Sequence, residues 1–182
     1  MKEKIAQETG RLLFDKKVKK LTVKDIVDAC HITRQAFYYH FADIPELLQW
    51  MMEQKKNEWF LKFAGCTDME EQLRCFFTTA VNARPAMKKG LTSNYGKELE
   101  TLLMQNIHAL LRRIASTQDA FESYGAVEQD TLIRYHCQAT MGMLRHWTEE
   151  DTRNLDRIVH AMYLTMSRGL AQKNLFDNTP GG

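Results

Sequence analysis

The chain has 182 residues, 44% hydrophobic and 26% charged, with a formal net charge of +2; this is ordinary globular composition. No apolar run reaches the roughly 18–20 residues that a bilayer span needs. The opening "MKEKIAQETGRLLF" alternates charged and apolar residues, unlike a signal peptide, so a cytoplasmic protein with no membrane partner is expected. The charge excess is local: residues 1–46 hold nine Lys+Arg against seven Asp+Glu, and the remainder holds 16 of each. A mildly basic head suits contact with a polyanion, and equally a solvated basic turn.

Strand signals are almost absent, with no sustained alternation and no Asn-Gly or Asp-Gly hairpin turn, so an all-α fold is expected. The first helix is predicted over about 2–16, with Ile5, Leu12 and Leu13 as its apolar stripe. Thr22 followed by Asp25 resembles a capping box. It opens a short helix over 23–30 whose buried side is Val23, Ile26, Val27 and Cys30. "CHI" (30–32) is a turn, and Thr33 caps a second short helix over 34–41. Asp43 is a third cap, with Pro45 near the first helical position and Glu46 three residues on. It opens a long helix over about 45–63. A helix over 69–87 is predicted to break near "RPAMKKG", at Pro85 and Gly90, and another follows at about 93–115. A weaker, glycine-containing region covers 116–127. Two final helices span about 128–148 and 151–173, and "DNTPGG" is a frayed tail. Three parts follow: a head over 1–44, a helical body over 45–176 and a tail over 177–182.

Two short capped helices joined by three residues make a helix-turn-helix. "TRQAFYYHF" (33–41) carries four aromatic rings in five positions. At about 100° per residue, Phe37 and Phe41 share one face and form a small core with Ile26 and Ile32. Gln35, Tyr38 and Tyr39 fall off that face, with Arg34 at its rim. Arg can bond a guanine edge in two places and Gln an adenine edge. Tyr hydroxyls can donate to phosphate oxygens, and the helix start adds amide donors for a phosphate. Thr22 and Thr33 offer hydroxyls at two helix starts. The same pattern also fits a helical bundle with a tyrosine-rich outer face for protein contacts.

"LTVKDIVDACHITRQAFYYHFADIPELL" resembles the DNA-binding head of TetR-family transcriptional regulators. Thr22, Val23, Asp25, Ile26, Ala29, Ile32, Thr33, Phe37, Tyr38, His40, Phe41 and Leu47 fall into step with that family's pattern. The resemblance covers about residues 5–50. It implies a homodimer on a double-stranded DNA operator, each head placing helix 33–41 in a major groove. It further implies that Arg34, Gln35 and Ala36 meet bases, that Thr33, Tyr38, Tyr39 and His40 meet phosphates, and that the body receives a small-molecule or protein effector and dimerises. Two residues depart from the pattern. His31 stands where the family has a turn glycine, and Ile44 where it has a phosphate-binding lysine. Lys24 and the 16–20 cluster "KKVKK" are the candidates to compensate for that lysine. The departures resemble the branch linked to dihydroxyacetone kinase operons. They also leave an alternative open: a protein–protein co-regulator that keeps the fold and binds DNA poorly.

In the body, Trp59, Phe63, Phe77, Met104, His108 and Tyr135 are candidates to line a ligand cavity. Leu132, His136, Met143 and Trp147 recur at helical spacing, with Ala139 and Gly142 allowing close approach. Leu155, Val159, Met162 and Met166 recur likewise. Both stripes suit a four-helix dimer interface, and equally an intrachain core. No G-x-S-x-G, H-E-x-x-H, P-loop or Rossmann glycine motif occurs, so no enzyme is expected. The four cysteines form no C-x-x-C pair, so reduced thiols, no metal and no cofactor are expected.

Overall fold

The computed structural model describes residues 1–15, 20–116 and 124–169. Among them every regular element is helical: α1 (Lys2–Gly10), a π-helical turn (Arg11–Asp15), α2 (Val23–Cys30), α3 (Arg34–His40), α4 (Ile44–Phe63), α5 (Met69–Leu91), α6 (Gly96–Ser116), α7 (Ala126–His146), α8 (Glu149–Arg153) and α9 (Leu155–Gly169). Packing divides the chain into two compact units. Unit 1 is Met1–Phe60 with Asn82–Asn106, and unit 2 is Leu61–Val81 with Ile107–Gly182. The head is therefore packed with more of the chain than residues 1–44.

The core of unit 1 is built on the head. Ile5, Leu13, Leu21, Ile26, Phe37, Phe41, Leu47 and Leu48 are buried together, joined by Leu99 of α6. Trp50 and Phe41 meet edge to face, with ring centroids 6.0 Å apart. In unit 2, Phe63, Leu73, Phe76, Phe77, Ile107, Ile133, Trp147, Val159 and Met166 are buried. Phe77 stacks on Trp147 at 5.6 Å, and the indole N–H of Trp147 donates to Thr152 Oγ1 at 2.9 Å. At the edge of unit 2, Arg74 pairs with both Glu70 and Asp156, and His160 Nδ1 lies 3.1 Å from Glu70.

Several predicted boundaries change. The α-helical geometry of the first helix ends at Gly10 and gives way to the π turn. The second helix of the body does not break at "RPAMKKG": α5 runs through Pro85 to Leu91. Proline lacks the N–H that would bond the carbonyl of Val81, a loss that helices tolerate when flanking packing holds both sides. Gly90 is a packing glycine. A Cβ there would lie 2.6 Å from the Phe14 ring and 3.2 Å from Leu99 Cδ1. The last predicted helix is two helices. Thr148 and Asp151 form a complete capping box that starts α8, and the Asn154 side chain donates to the Glu150 carbonyl at its end. Most of "KKVKK", most of the region 116–127, the stretch 170–173 and the tail 177–182 lie outside the described residues.

Candidate nucleic-acid interface

The helix-turn-helix is set by local hydrogen bonds. Thr22 is the N-cap of α2. Its Oγ1 accepts from the Asp25 N–H at 3.3 Å, while the Asp25 carboxylate accepts from the Thr22 N–H at 2.9 Å and from its hydroxyl at 2.6 Å. At the other end His31 adopts the left-handed region, φ 53° and ψ 48°. Its N–H donates to the Asp28 carbonyl, and the Ile32 N–H donates to Val27 at 3.0 Å, the pair of bonds of a Schellman cap. That cap turns the chain in three residues and delivers Thr33, whose Oγ1 accepts from Ala36 N–H at 3.1 Å, as the N-cap of α3. Asp43 then caps α4 through the Glu46 N–H at 2.8 Å, and Glu46 takes the Ala42 N–H at 2.5 Å.

α3 is two-sided. Phe37 is fully buried and Phe41 nearly so, their centroids 6.1 Å apart. On the outer side Tyr39 is 84% exposed and Tyr38 54%. Arg34 and Gln35 in the first turn are exposed, and Ala36 and His40 are half-buried. Arg34 and Lys24 have no ion-pair partner among the described residues, so both guanidinium and ammonium are available to an incoming anion. Thr33 uses its oxygen as an acceptor and keeps its O–H to donate. Thr22 differs, because its hydroxyl proton is already given to Asp25. The structure thus sets Thr33, Arg34, Gln35, Tyr38, Tyr39 and His40 on one short helix and its cap, while Lys24 is exposed on α2. Ile44 points inward and is 3% exposed, in the core beneath.

One positioning residue escaped sequence reasoning. Asn94, in the turn between α5 and α6, accepts from the Leu21 N–H at 2.8 Å and donates to the Leu21 carbonyl at 3.3 Å. Its amide satisfies both backbone groups of the residue that precedes the α2 cap. Within "TSNYG" it reads as an ordinary turn asparagine. Its partner is 73 residues away, and no local pattern signals that.

The expected cavity and interface residues fare differently. Trp59 and Met104 belong to unit 1, whereas Phe63, Phe77, His108 and Tyr135 belong to unit 2. Phe77 is committed to its stack on Trp147, and Tyr135 is 63% exposed. Of the expected interface stripe, His136, Trp147, Val159, Met162 and Met166 are already buried within one chain. Leu132, Met143 and Leu155 are half-buried. The outward face of α7 is instead Tyr135, Ala139 and Gly142, and a Cβ on Gly142 would meet nothing within 4 Å. Burial lowers the pKa of His136 and raises those of Cys30 and Cys137. Both shifts in the His136–Cys137 pair oppose a thiolate–imidazolium pair. No group of three or more His, Cys, Asp or Glu side chains suited to a metal occurs among the described residues. No described helix is long and apolar enough to cross a membrane.

Residues 5–50 match the family described as bacterial regulatory proteins, tetR family. Over nearly the whole chain the fold is similar to two solved structures. One is the dihydroxyacetone kinase operon activator DhaS, with a TM-score of 0.63 and 19% identity over 93% of this chain and 96% of that one. The other is the fatty acid degradation regulator FadR from Bacillus halodurans, with a TM-score of 0.56 and 13% identity over 91% and 94%. No curated protein matches the sequence.

Proposed function

We propose, from the match of residues 5–50 to the tetR family and a fold similar to that of two solved regulators, that this chain is a homodimeric TetR-like regulator that reads duplex DNA with α3. In this reading it is a regulator and not an enzyme. The observation that carries the reading is the division of α3. Phe37 and the cap residue Phe41 anchor it from below, and an arginine with no ion-pair partner among the described residues, a glutamine and two exposed tyrosines face outward from this seven-residue helix. In this reading Arg34, Gln35 and Ala36 meet base edges. Thr33, Tyr38, Tyr39, His40 and Lys24 meet phosphates. Thr22 contributes by holding α2 in place, since its hydroxyl is spent on Asp25.

Dimerisation belongs to the same proposal. On α7, Tyr135, Ala139 and Gly142 are exposed, with Leu132 and Met143 beside them on the same face. The open space beyond Gly142 admits a partner helix at close range. An effector taken up by the helical body, a small molecule or a protein, would favour dimers whose heads match half-sites roughly 34–36 Å apart. A second reading, a co-regulator that binds DNA poorly, is favoured by one observation. Ile44 fills the head core, at the position where the family's lysine would reach a phosphate.

A fluorescence-anisotropy titration with the duplex upstream of the chain's own operon tests this. Arg34→Ala should relax preference at one base pair, a change of about 1–3 kcal/mol. Tyr39→Phe should weaken binding to all sequences alike. Parent-like binding by both variants would remove α3 from the interface, and no binding by the parent at low salt would favour the co-regulator.

A further inference from the structure

Unit 1 contains a cleft that the DNA-reading surface does not use. It has a volume of about 630 Å³ and lies between α1 with the π turn, residues 48–58 of α4, the C-terminal half of α5 and Leu99 of α6. That volume is in the range of small-molecule sites. Its wall is apolar, carried by Phe14, Trp50, Met51, Met52 and Met87. Its charged groups are largely spent. Lys55 Nζ lies 2.8 Å from Glu58, and the remaining charged lining group, Glu3, has its Oε2 3.4 Å from the N-terminal ammonium. The other polar groups there are the amides of Gln7 and Gln54. With both carboxylates and the ammonium already paired, the cleft offers a charged ligand no counter-charge, and an apolar wall with two amides suits an uncharged molecule that both donates and accepts hydrogen bonds.

Gly10 adds an independent observation. A glycine within a helix costs roughly 1 kcal/mol against alanine, and packing does not require this one. A Cβ on it would sit at ordinary contact distance, 3.6 Å from Met51 Cε and 3.8 Å from the Phe14 ring. Its missing side chain keeps the cleft wide. The cleft also touches the recognition helix through rings. Trp50 in its wall meets Phe41 at 6.0 Å, and Phe41 meets Phe37 of α3 at 6.1 Å. Close-packed rings transmit displacement rather than absorb it.

We infer that this cleft is a binding site for an uncharged, mainly apolar small molecule, and that its occupancy restrains α3 through Trp50, Phe41 and Phe37. The site stands without the DNA-binding reading, and only its regulatory meaning rests on that reading. The experiment therefore contains no DNA, so its failure is separate from a failure to bind an operator. The full chain is titrated with Nile red, an uncharged apolar dye, and with anilinonaphthalene sulfonate, an anionic one. Amide hydrogen exchange of residues 33–41 is then measured at saturating Nile red. Saturable binding of one Nile red per chain is expected, with slowed exchange over 33–41. Ala86→Phe and Gly10→Leu, which fill the cleft from different helices, should each weaken binding about tenfold or more with circular dichroism unchanged. The second variant serves if the first fails to fold. Equal binding by the folded variants, equal affinity for the anionic dye, or exchange over 33–41 that ignores bound dye would each overturn the inference.

Discussion

His31 shows how a single backbone conformation shapes the helix-turn-helix. It is the one non-glycine residue with positive φ among those described, and it occupies the C-cap that turns α2 into α3. A side chain in this region costs roughly 1–2 kcal/mol, and histidine is one of the non-glycine residues found there more often than most. His31→Gly should therefore leave stability unchanged or raise it by about 0.5–1 kcal/mol, after the added entropy of the unfolded chain is subtracted. His31→Val should lower it by about 1–2 kcal/mol, because β-branching crowds the same conformation. Urea unfolding of the three proteins measures both. A stable valine variant would mean that the cap does not control the turn. The caps themselves were legible in the sequence, because Thr22, Thr33 and Asp43 act on neighbours three residues away. Asn94 was not legible, because its two bonds reach Leu21 across the fold.

At the scale of elements, periodicity found the helices and misjudged where packing overrides local preference. α2 and α3 are legible because each carries a cap and a distinct buried face, and α4 because Asp43, Pro45 and Glu46 mark its start. The break expected at Pro85 was a judgement from residue type alone, and α5 passes through it. Pro85 is exposed and leaves the Val81 carbonyl without its helical donor. Pro85→Ala should restore that bond and raise stability by about 1–3 kcal/mol, less what the more flexible unfolded chain recovers. Thermal unfolding would register the rise, and an unchanged midpoint would show that the helix is already relaxed around the proline. The apolar stripes of α7 and α9 were equally visible in sequence. Periodicity marks a buried face without saying what buries it, so it could not separate an interface from a core. Trp147 and Val159 are core of unit 2.

Each unit of the whole molecule has its own core: rings anchor α3 in the first, and the second holds a buried histidine. His136 is 6% exposed, and desolvation pulls its pKa below the ordinary value of 6.5. The unfolded chain then takes up a proton that the native chain refuses. Stability is present above about pH 6.5 and falls as the pH drops through that value toward the depressed native pKa. His136→Gln should flatten this part of the stability–pH curve relative to the parent. The difference between the two curves removes the contribution of the other histidines, and two parallel curves would contradict it. The central claim, that α3 of a dimer reads duplex DNA, is tested most directly by selection from a library of random double-stranded DNA at low salt. The structure-based account predicts enrichment of a two-fold-related site whose half-site centres lie one helical turn or a multiple apart, about 10 bp or more, with the enrichment lost for Arg34→Ala. A library returned without any enriched sequence would contradict it.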